Sequence, residues 1–169
     1  KDDAFQKSAE TLLAEIPQDR IRYVRVPNEE EKAVARNLAF KQADGEFVIC
    51  IEAGKVLSAN YFKYFASALD ANPDADIFYS KLVKISAGRP ELITPPRYVN
   101  LHMQAHRNYF TSGAMVRKSL WEAIGGYRES IKGLEDWDFY LAALLRGAKF
   151  QYMDCPGIIS TGNEKQVGD

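Results

Sequence analysis

The chain has 169 residues, of which 46% are hydrophobic and 12% aromatic, and its 22 basic and 23 acidic side chains leave a formal net charge of -1. This composition predicts one globular domain over residues 1–169, and the near-neutral balance disfavours nucleic acid or an anionic membrane as a partner. No apolar run approaches the roughly 18 residues of a membrane span. Cys50 and Cys155 have no metal-ligand spacing, which favours reduced thiols and a cytoplasmic location.

Helical and strand patterns alternate from the start of the chain. Residues 4–16 carry apolar side chains at helical spacing, and residues 21–27 alternate with period two, as a strand does. Asn28 and Glu31 have the spacing of a capping box, which predicts a helix that ends at Gly45. The first three elements are therefore expected to be a helix, a strand and a helix.

The alternation continues through the middle of the chain. Residues 46–52 form a short apolar run typical of a buried parallel strand, residues 60–74 have a helical pattern, and residues 76–86 have that of a strand. This order predicts an α/β fold with a mostly parallel sheet flanked by helices. The proline-rich residues 88–108 interrupt the pattern, and we interpret them as an excursion from the sheet with a short helix around His102.

The C-terminal part of the chain returns to the same patterns. A short strand is expected within residues 110–116, followed by a helix over residues 118–125 and a second helix that begins at Glu135. Residues 125–133 between the two helices contain three glycines, which suits a surface loop that carries groups towards a ligand. A last strand over residues 149–154 precedes a polar tail.

Three carboxylates, those of Glu135, Asp136 and Asp138, lie in the first turn of the last helix. Unpaired backbone N–H groups and the macrodipole favour acids there, so a plain helix start accounts for all three. Asp136 points away from the apolar stripe of this helix and Glu135 lies to one side of it. That stripe, which we expect to face the core, consists of Leu134, Trp137, Leu141, Leu144 and Leu145. A helix start and a functional site both remain open.

Two segments carry a family resemblance: "AVARNLAFKQADGEFVICIEAGK" and, further on, "GGYRESIKGLEDWDF". In their order, residue identities and spacing they resemble the family 2 inverting glycosyltransferases of the glycosyltransferase-A fold, over roughly residues 2–155. The resemblance implies transfer of a sugar, of the hexosyltransferase type, from a nucleotide-diphospho-sugar donor to a glycan or lipid-linked acceptor in polysaccharide or glycoconjugate synthesis. It also implies that the first strand-helix-strand unit, roughly 30 residues, is missing from this partial domain.

The resemblance assigns functions to individual residues. Asp136 matches the family's general base, and Glu135 matches its acceptor-contacting neighbour. Asp2 and Asp3 match an acidic pair near the nucleotide, although solvated charges would look the same. Arg36 and Asn37 match the family's "ARN" and are expected at the donor, the alternative being an exposed helix pair. The full set of expected substrate-binding residues is Asp2, Asp3, Arg36, Asn37, Glu52, Lys55, Gly113, Gly125 and Gly126.

The family's metal-binding motif is degenerate in "IEAGK". The resemblance implies Mn²⁺ or Mg²⁺ at the donor diphosphate, but only Glu52 matches a ligand, because Gly54 takes the second acidic position and "GIISTGNEKQ" lacks the family's late histidine. Such hard cations need several oxygen ligands, so we expect weak metal binding or none. Lys55 is either a positive charge near the diphosphate or, as we favour, a surface lysine. The alternative function is a catalytically impaired module that binds a nucleotide, a glycan or a protein partner.

Overall fold

The structure is a computed structural model that describes residues 11, 21–24, 26, 32–110 and 113–160. Apart from Thr11, which is helical, the predicted first helix lies outside these residues. Four residues singled out by their sequence context also lie outside: Asp2, Asp3, Asn28 and Glu31. The described residues of the predicted strand at 21–27 form no strand.

The described elements alternate between helices and strands, largely as the sequence predicts. In chain order they are α1 (Lys32–Gln42), β1 (Phe47–Ile49), β2 (Lys55–Leu57), α2 (Tyr61–Ala71), β3 (Ile77–Ser86), β4 (Arg89–Ile93), α3 (Leu101–His106), β5 (Met115–Arg117), α4 (Lys118–Ile124), α5 (Glu135–Leu145) and β6 (Phe150–Ser160). No helix among the described residues is long and apolar enough to cross a membrane.

The strands form one sheet in the order β1-β5-β3-β6-β2, with β4 also paired to β3. The predicted α/β fold is confirmed, but the sheet is mixed rather than mostly parallel. Strands β3 and β6 run parallel, whereas the pairs β1–β5, β2–β6, β3–β4 and β3–β5 are antiparallel. The alternation of helices and strands along the sequence does not predict the direction of each strand, because strands that are distant in sequence can join the sheet in either direction.

Strand β4 lies within the proline-rich stretch that we predicted to be an excursion. It pairs with β3 through a two-residue turn in which Ala87 and Gly88 both have positive φ, 50° and 75°. Positive φ at both central residues is the conformation that joins antiparallel strands tightly. All five residues of β4 are exposed, and such an edge tolerates Pro90 because its missing N–H is not needed by a central strand.

The sheet is covered on both faces, and alternate residues of β3 point into the two cores. Ile77 and Tyr79 pack in the larger core with side chains of α1, α4 and α5, whereas Phe78 and Leu82 pack in the smaller core with Tyr61 of α2. The larger core therefore fixes α1 and α5 on the same face of the sheet. This arrangement brings the start of α5 towards Arg36 of α1.

The buried face of α5 differs from the predicted stripe. Leu134 and Leu145 are 48% and 70% exposed, and Trp137 is half-buried, with its Nε1 donating to the carbonyl of Gln104 in α3. The buried residues are instead Glu135, Phe139, Tyr140 and Ala143. The two aromatic rings pack with Tyr127, Phe110 and Phe150, and this contact turns the helix so that Glu135 points inward.

Candidate functional site

Arg36 connects the two segments that the sequence singled out. Its Nη1 donates to Oε1 of Glu135 at 3.1 Å and to Oδ1 of Asp136 at 2.6 Å, and its Nη2 donates to Oε1 of Glu52 at 2.8 Å. The side chain is 9% exposed, and its guanidinium lies over the Tyr127 ring, 5.5 Å from the centroid. The alternative interpretation of Arg36 as an exposed helix residue is therefore wrong, since its guanidinium is buried and holds three carboxylates in a single cluster.

The three carboxylates at the start of α5 have different surroundings. Glu135 is 4% exposed, and its Oε2 has no hydrogen-bond partner among the described residues. Asp138 pairs with Arg128 on the outside of the helix. The Asp136 side chain is the most exposed of the three at 23%, against 11% for Asp138, so the expectation that it faces away from the core is only partly right.

Burial raises the pKa of Asp136 above its usual value of 3.8. The Arg36 charge opposes this rise, while the nearby Glu135 and Glu52 carboxylates add to it. Among the described residues, the hydrogen bond to Asp136 is made at Oδ1. The other carboxylate oxygen is thus available to accept a proton from a ligand, and a raised pKa makes the group a stronger base. Contact between Glu135 and an acceptor stays a prediction.

Glu52 follows β1 in a tight turn. The Lys55 N–H donates to the Glu52 carbonyl at 3.0 Å, and Gly54 has a φ of 82°, which a residue with a side chain adopts only at a cost. Lys55 Nζ lies 3.0 Å from Oε2 of Glu52, and its side chain is only 6% exposed. The surface-lysine interpretation of Lys55 is therefore wrong, because the turn folds its ammonium back against Glu52.

The charges around Glu52 favour its ionised form. Burial would raise its pKa, but the hydrogen bond and charge of Lys55, together with the charges of Lys32 and Arg36, hold the pKa below its usual value. Lys32 Nζ is 3.8 Å from Oε1, a contact that sequence reasoning did not single out. Lys32 and Arg36 of α1, together with Glu52, line a groove of about 610 Å³ between that helix and β1 with the residues that follow it.

The three candidate glycines have backbone functions. Gly125 ends α4 in the left-handed conformation at φ 92°. A Cβ on Gly126 would lie 2.7 Å from Oδ1 of Asn37, and one on Gly113 would lie 2.5 Å from Cδ1 of Ile158. Gly113 also lines a separate cavity of about 370 Å³. Substrate contact by these glycines stays a prediction.

Comparison with known proteins gives the family. The model of "Glycosyl transferase family 2" matches residues 2–128. The chain belongs to this family. The matched region contains Arg36, Glu52 and Lys55 but ends before Glu135 and Asp136, so the functions of those two carboxylates stay predictions. One curated relative, the "Uncharacterized protein y4gI" of Sinorhizobium fredii, is 26% identical over 129 residues, which are 75% of this chain and 14% of that protein.

Solved structures give the same fold as this glycosyltransferase domain. Residues 1–349 of TarS from S. aureus match with a TM-score of 0.72 and 20% identity over 92% of this chain and 47% of that one. The same protein in complex with UDP-GlcNAc matches with a TM-score of 0.73 and 20% identity, over 95% and 46%. The chain thus spans about half the length of the TarS structures, and at this identity the likeness supports the glycosyltransferase-A fold alone.

The divalent cation that the family implies does not fit the residues that the structure describes around Glu52. Among the described residues, no group of three His, Cys, Asp or Glu side chains could hold a metal ion. Gly54 brings no ligand, and both oxygens of Glu52 already contact cationic nitrogens, those of Arg36 and Lys55. Mg²⁺ and Mn²⁺ prefer several oxygen ligands, so this donor set is poor for either ion.

Asn37 anchors the loop that leads to α5. Its Nδ2 donates to the carbonyl of Tyr127 and to Oε1 of Glu129, both at 2.9 Å, and its Oδ1 accepts from the Tyr127 N–H at 2.8 Å. The side chain is buried, and both amide hydrogens are used within the protein. We infer that Asn37 positions this loop; the donor contact predicted for it remains untested.

Replacing Asn37 should loosen this loop. In Asn37→Ala the buried Tyr127 N–H and carbonyl both lose their partner, so we expect the free energy of unfolding to fall by about 1–3 kcal/mol. Urea denaturation measures the change. Asn60→Ala is the control, because Asn60 precedes α2 without a side-chain capping bond. An equal loss in both variants would contradict the anchoring function of Asn37.

Proposed function

We propose that this domain transfers a sugar, with inversion, from a nucleotide-diphospho-sugar to a hydroxyl of a glycan or lipid-linked acceptor. The observation that carries the proposal is the Arg36 cluster. It holds the partly exposed Asp136 carboxylate next to Glu52, at the motif where the family holds its donor. The complex of TarS with UDP-GlcNAc supports a UDP-sugar as the first donor to test.

In this reaction Asp136 accepts the proton of the acceptor hydroxyl. The hydroxyl oxygen forms a bond to the anomeric carbon as the bond between that carbon and the diphosphate oxygen breaks. The electron pair leaves with the nucleoside diphosphate, and attack from the opposite side inverts the anomeric configuration. Arg36 keeps Asp136 oriented through the bond to Oδ1, which leaves the second carboxylate oxygen to act as base.

Product stereochemistry tests this mechanism. The full-length protein is incubated with a panel of UDP-sugars and glycan acceptors, and the anomeric proton coupling of the product is measured by NMR. We expect a product of opposite anomeric configuration to the donor, because one base and one displacement allow a single inversion. A product with retained configuration would reject Asp136 as base in a single displacement.

A binding module is the second candidate function, and the pairing of Glu52 with Lys55 is the observation that favours it. A site in which glycine takes one metal-ligating position and a lysine pairs with the remaining carboxylate holds a nucleotide without turning it over. Calorimetric binding of UDP without any release of UDP from UDP-sugars, across the same panel, would support this second function over transfer.

A further inference from the structure

Lys55 contacts the carboxylate of Glu52, the residue that matches a ligand of the family's metal-binding motif. The turn from Glu52 to Lys55 places the ammonium 3.0 Å from Oε2, and the side chain is almost completely covered. Covering a lysine is costly unless its charge is paired, and most lysines stay in water. The covered ammonium is thus a fixed positive charge of this site, held by the same carboxylate that would otherwise ligate a metal.

The carboxylates of the cluster are already paired with basic side chains, so they do not require a divalent cation to balance their charge. Three carboxylates, Glu52, Glu135 and Asp136, face the guanidinium of Arg36 and the ammonium of Lys55, with Lys32 at the rim. Two carboxylates facing each other across an empty position would need a cation between them. Here Gly54 supplies no second carboxylate at this turn, and Glu52 is already satisfied at both oxygens.

We propose that Lys55 replaces the divalent cation: its ammonium, positioned by Glu52, binds the diphosphate of the donor, and donor binding is independent of Mn²⁺ and Mg²⁺. The inference rests on the proposed function for the identity of the ligand, a nucleoside diphosphate. An ammonium is a compact donor suited to phosphate oxygens, and a charge-assisted hydrogen bond is among the stronger polar contacts. Glu52 serves as the residue that positions Lys55.

Calorimetric binding of UDP, GDP and dTDP to the full-length protein tests the proposal, with EDTA in one series and Mn²⁺ in the other. For the nucleotide that binds, we expect dissociation constants within about twofold of each other in the two series. Lys55→Gln should weaken binding about tenfold or more in both, because it removes a charged hydrogen bond. Lys63→Gln, at an exposed lysine of α2, makes the same charge change and should leave binding unchanged.

A gain of metal binding provides the complementary measurement. Gly54→Asp/Lys55→Ala restores a second carboxylate and removes the ammonium; a Cβ at Gly54 meets no atom within 4 Å, and Asp tolerates positive φ better than most residues. Electron paramagnetic resonance of Mn²⁺ should detect binding to this variant and at least tenfold weaker binding to the wild type. Binding of UDP by the variant should then require Mn²⁺.

The outcomes separate this inference from the function on which it rests. Binding of a nucleoside diphosphate in EDTA that depends on Lys55 supports the inference, whether or not sugar is transferred. Binding that requires Mn²⁺ in the wild type, or that Lys55→Gln leaves unchanged, overturns it while leaving glycosyl transfer intact. Absence of binding in every series also overturns it, and the separate measurement of sugar transfer then decides the proposed function.

Discussion

Asp136→Asn should reduce sugar transfer by about 10²–10⁴-fold while leaving donor binding nearly unchanged. The amide keeps the shape of the side chain but cannot accept the proton of the acceptor hydroxyl, and a positioned base contributes an effect of that size. Initial rates of UDP release in the presence of acceptor measure transfer, and calorimetry with UDP measures donor binding. The rate in the wild type should also fall as the pH drops through the raised pKa of Asp136.

The same substitution should not destabilise the protein at neutral pH. Because the pKa of Asp136 is raised in the folded state, the native protein binds more protons than the unfolded chain between 3.8 and the folded pKa. The free energy of unfolding therefore falls as the pH rises through this window, and above it the ionised carboxylate carries the full penalty. The amide that Asp136→Asn introduces carries no charge, so we expect a melting temperature equal to or above that of the wild type.

Asp138→Asn is the matched control for this prediction. Asp138 lies in the same helical turn, meets the same macrodipole, and pairs with the exposed Arg128 rather than with Arg36. We expect it to retain transfer within about a factor of two, because Asp138 does not contact Arg36 and cannot take the proton of an acceptor held at Asp136. If both substitutions reduced transfer equally, the carboxylates of α5 would have only their helix-starting function.

Local patterns in the sequence predict the described helices well, but they do not predict the directions of the strands. Residues 60–74 and 118–125 have strong periodicity and clear ends, and the structure places α2 and α4 within them. The strand predicted at 149–154 extends to Ser160, through two register shifts on either side of Lys81, which pairs with Pro156. Strand extension across such a bulge depends on the partner strand, which local patterns do not include.

The orientation of α5 could not be predicted from hydrophobic periodicity. Such periodicity assumes that the most apolar stripe faces the core, but here a buried ion pair takes part of that face. Glu135 is buried because Arg36 meets it, and Leu145 is exposed because the rings of Phe139 and Tyr140 fill the core instead. A helical wheel shows only the residues of one helix, so it cannot include a partner that lies 99 residues away in the sequence.

The candidate site was predicted mainly through the family resemblance. Motif order indicated Arg36, Glu52 and Asp136, and the structure brings the three together through a single guanidinium. No local pattern indicated Tyr127 beneath this guanidinium or Lys32 near Glu52. Such contacts depend on the relative positions of α1, the loop before α5 and the turn after β1, which follow from tertiary packing.

Arg36→Met should destabilise the protein by about 3–5 kcal/mol, because removal of one partner leaves the charge of a buried ion pair uncompensated. Glu135 is the carboxylate most affected, being 4% exposed with its Oε1 on the guanidinium. The free energy of unfolding from urea denaturation measures the loss. Arg128→Met is the control, since the side chain of Arg128 is 67% exposed, and its loss should cost at most about 1 kcal/mol.

A double variant separates lost charge from lost packing. In Arg36→Met/Glu135→Leu the buried carboxylate is removed with its partner, and replacing a buried ion pair by apolar side chains is often neutral, so most of the lost free energy should return. If the double variant were as unstable as Arg36→Met, packing of the arginine stem would be the cause.

The pH dependence of stability also distinguishes lost charge from lost packing. Without the guanidinium, which lowers the pKa of Asp136, that pKa rises further and the native state takes up a proton more readily. The deficit of Arg36→Met should therefore shrink as the pH falls through the pKa of Asp136, whereas a packing defect would persist at every pH.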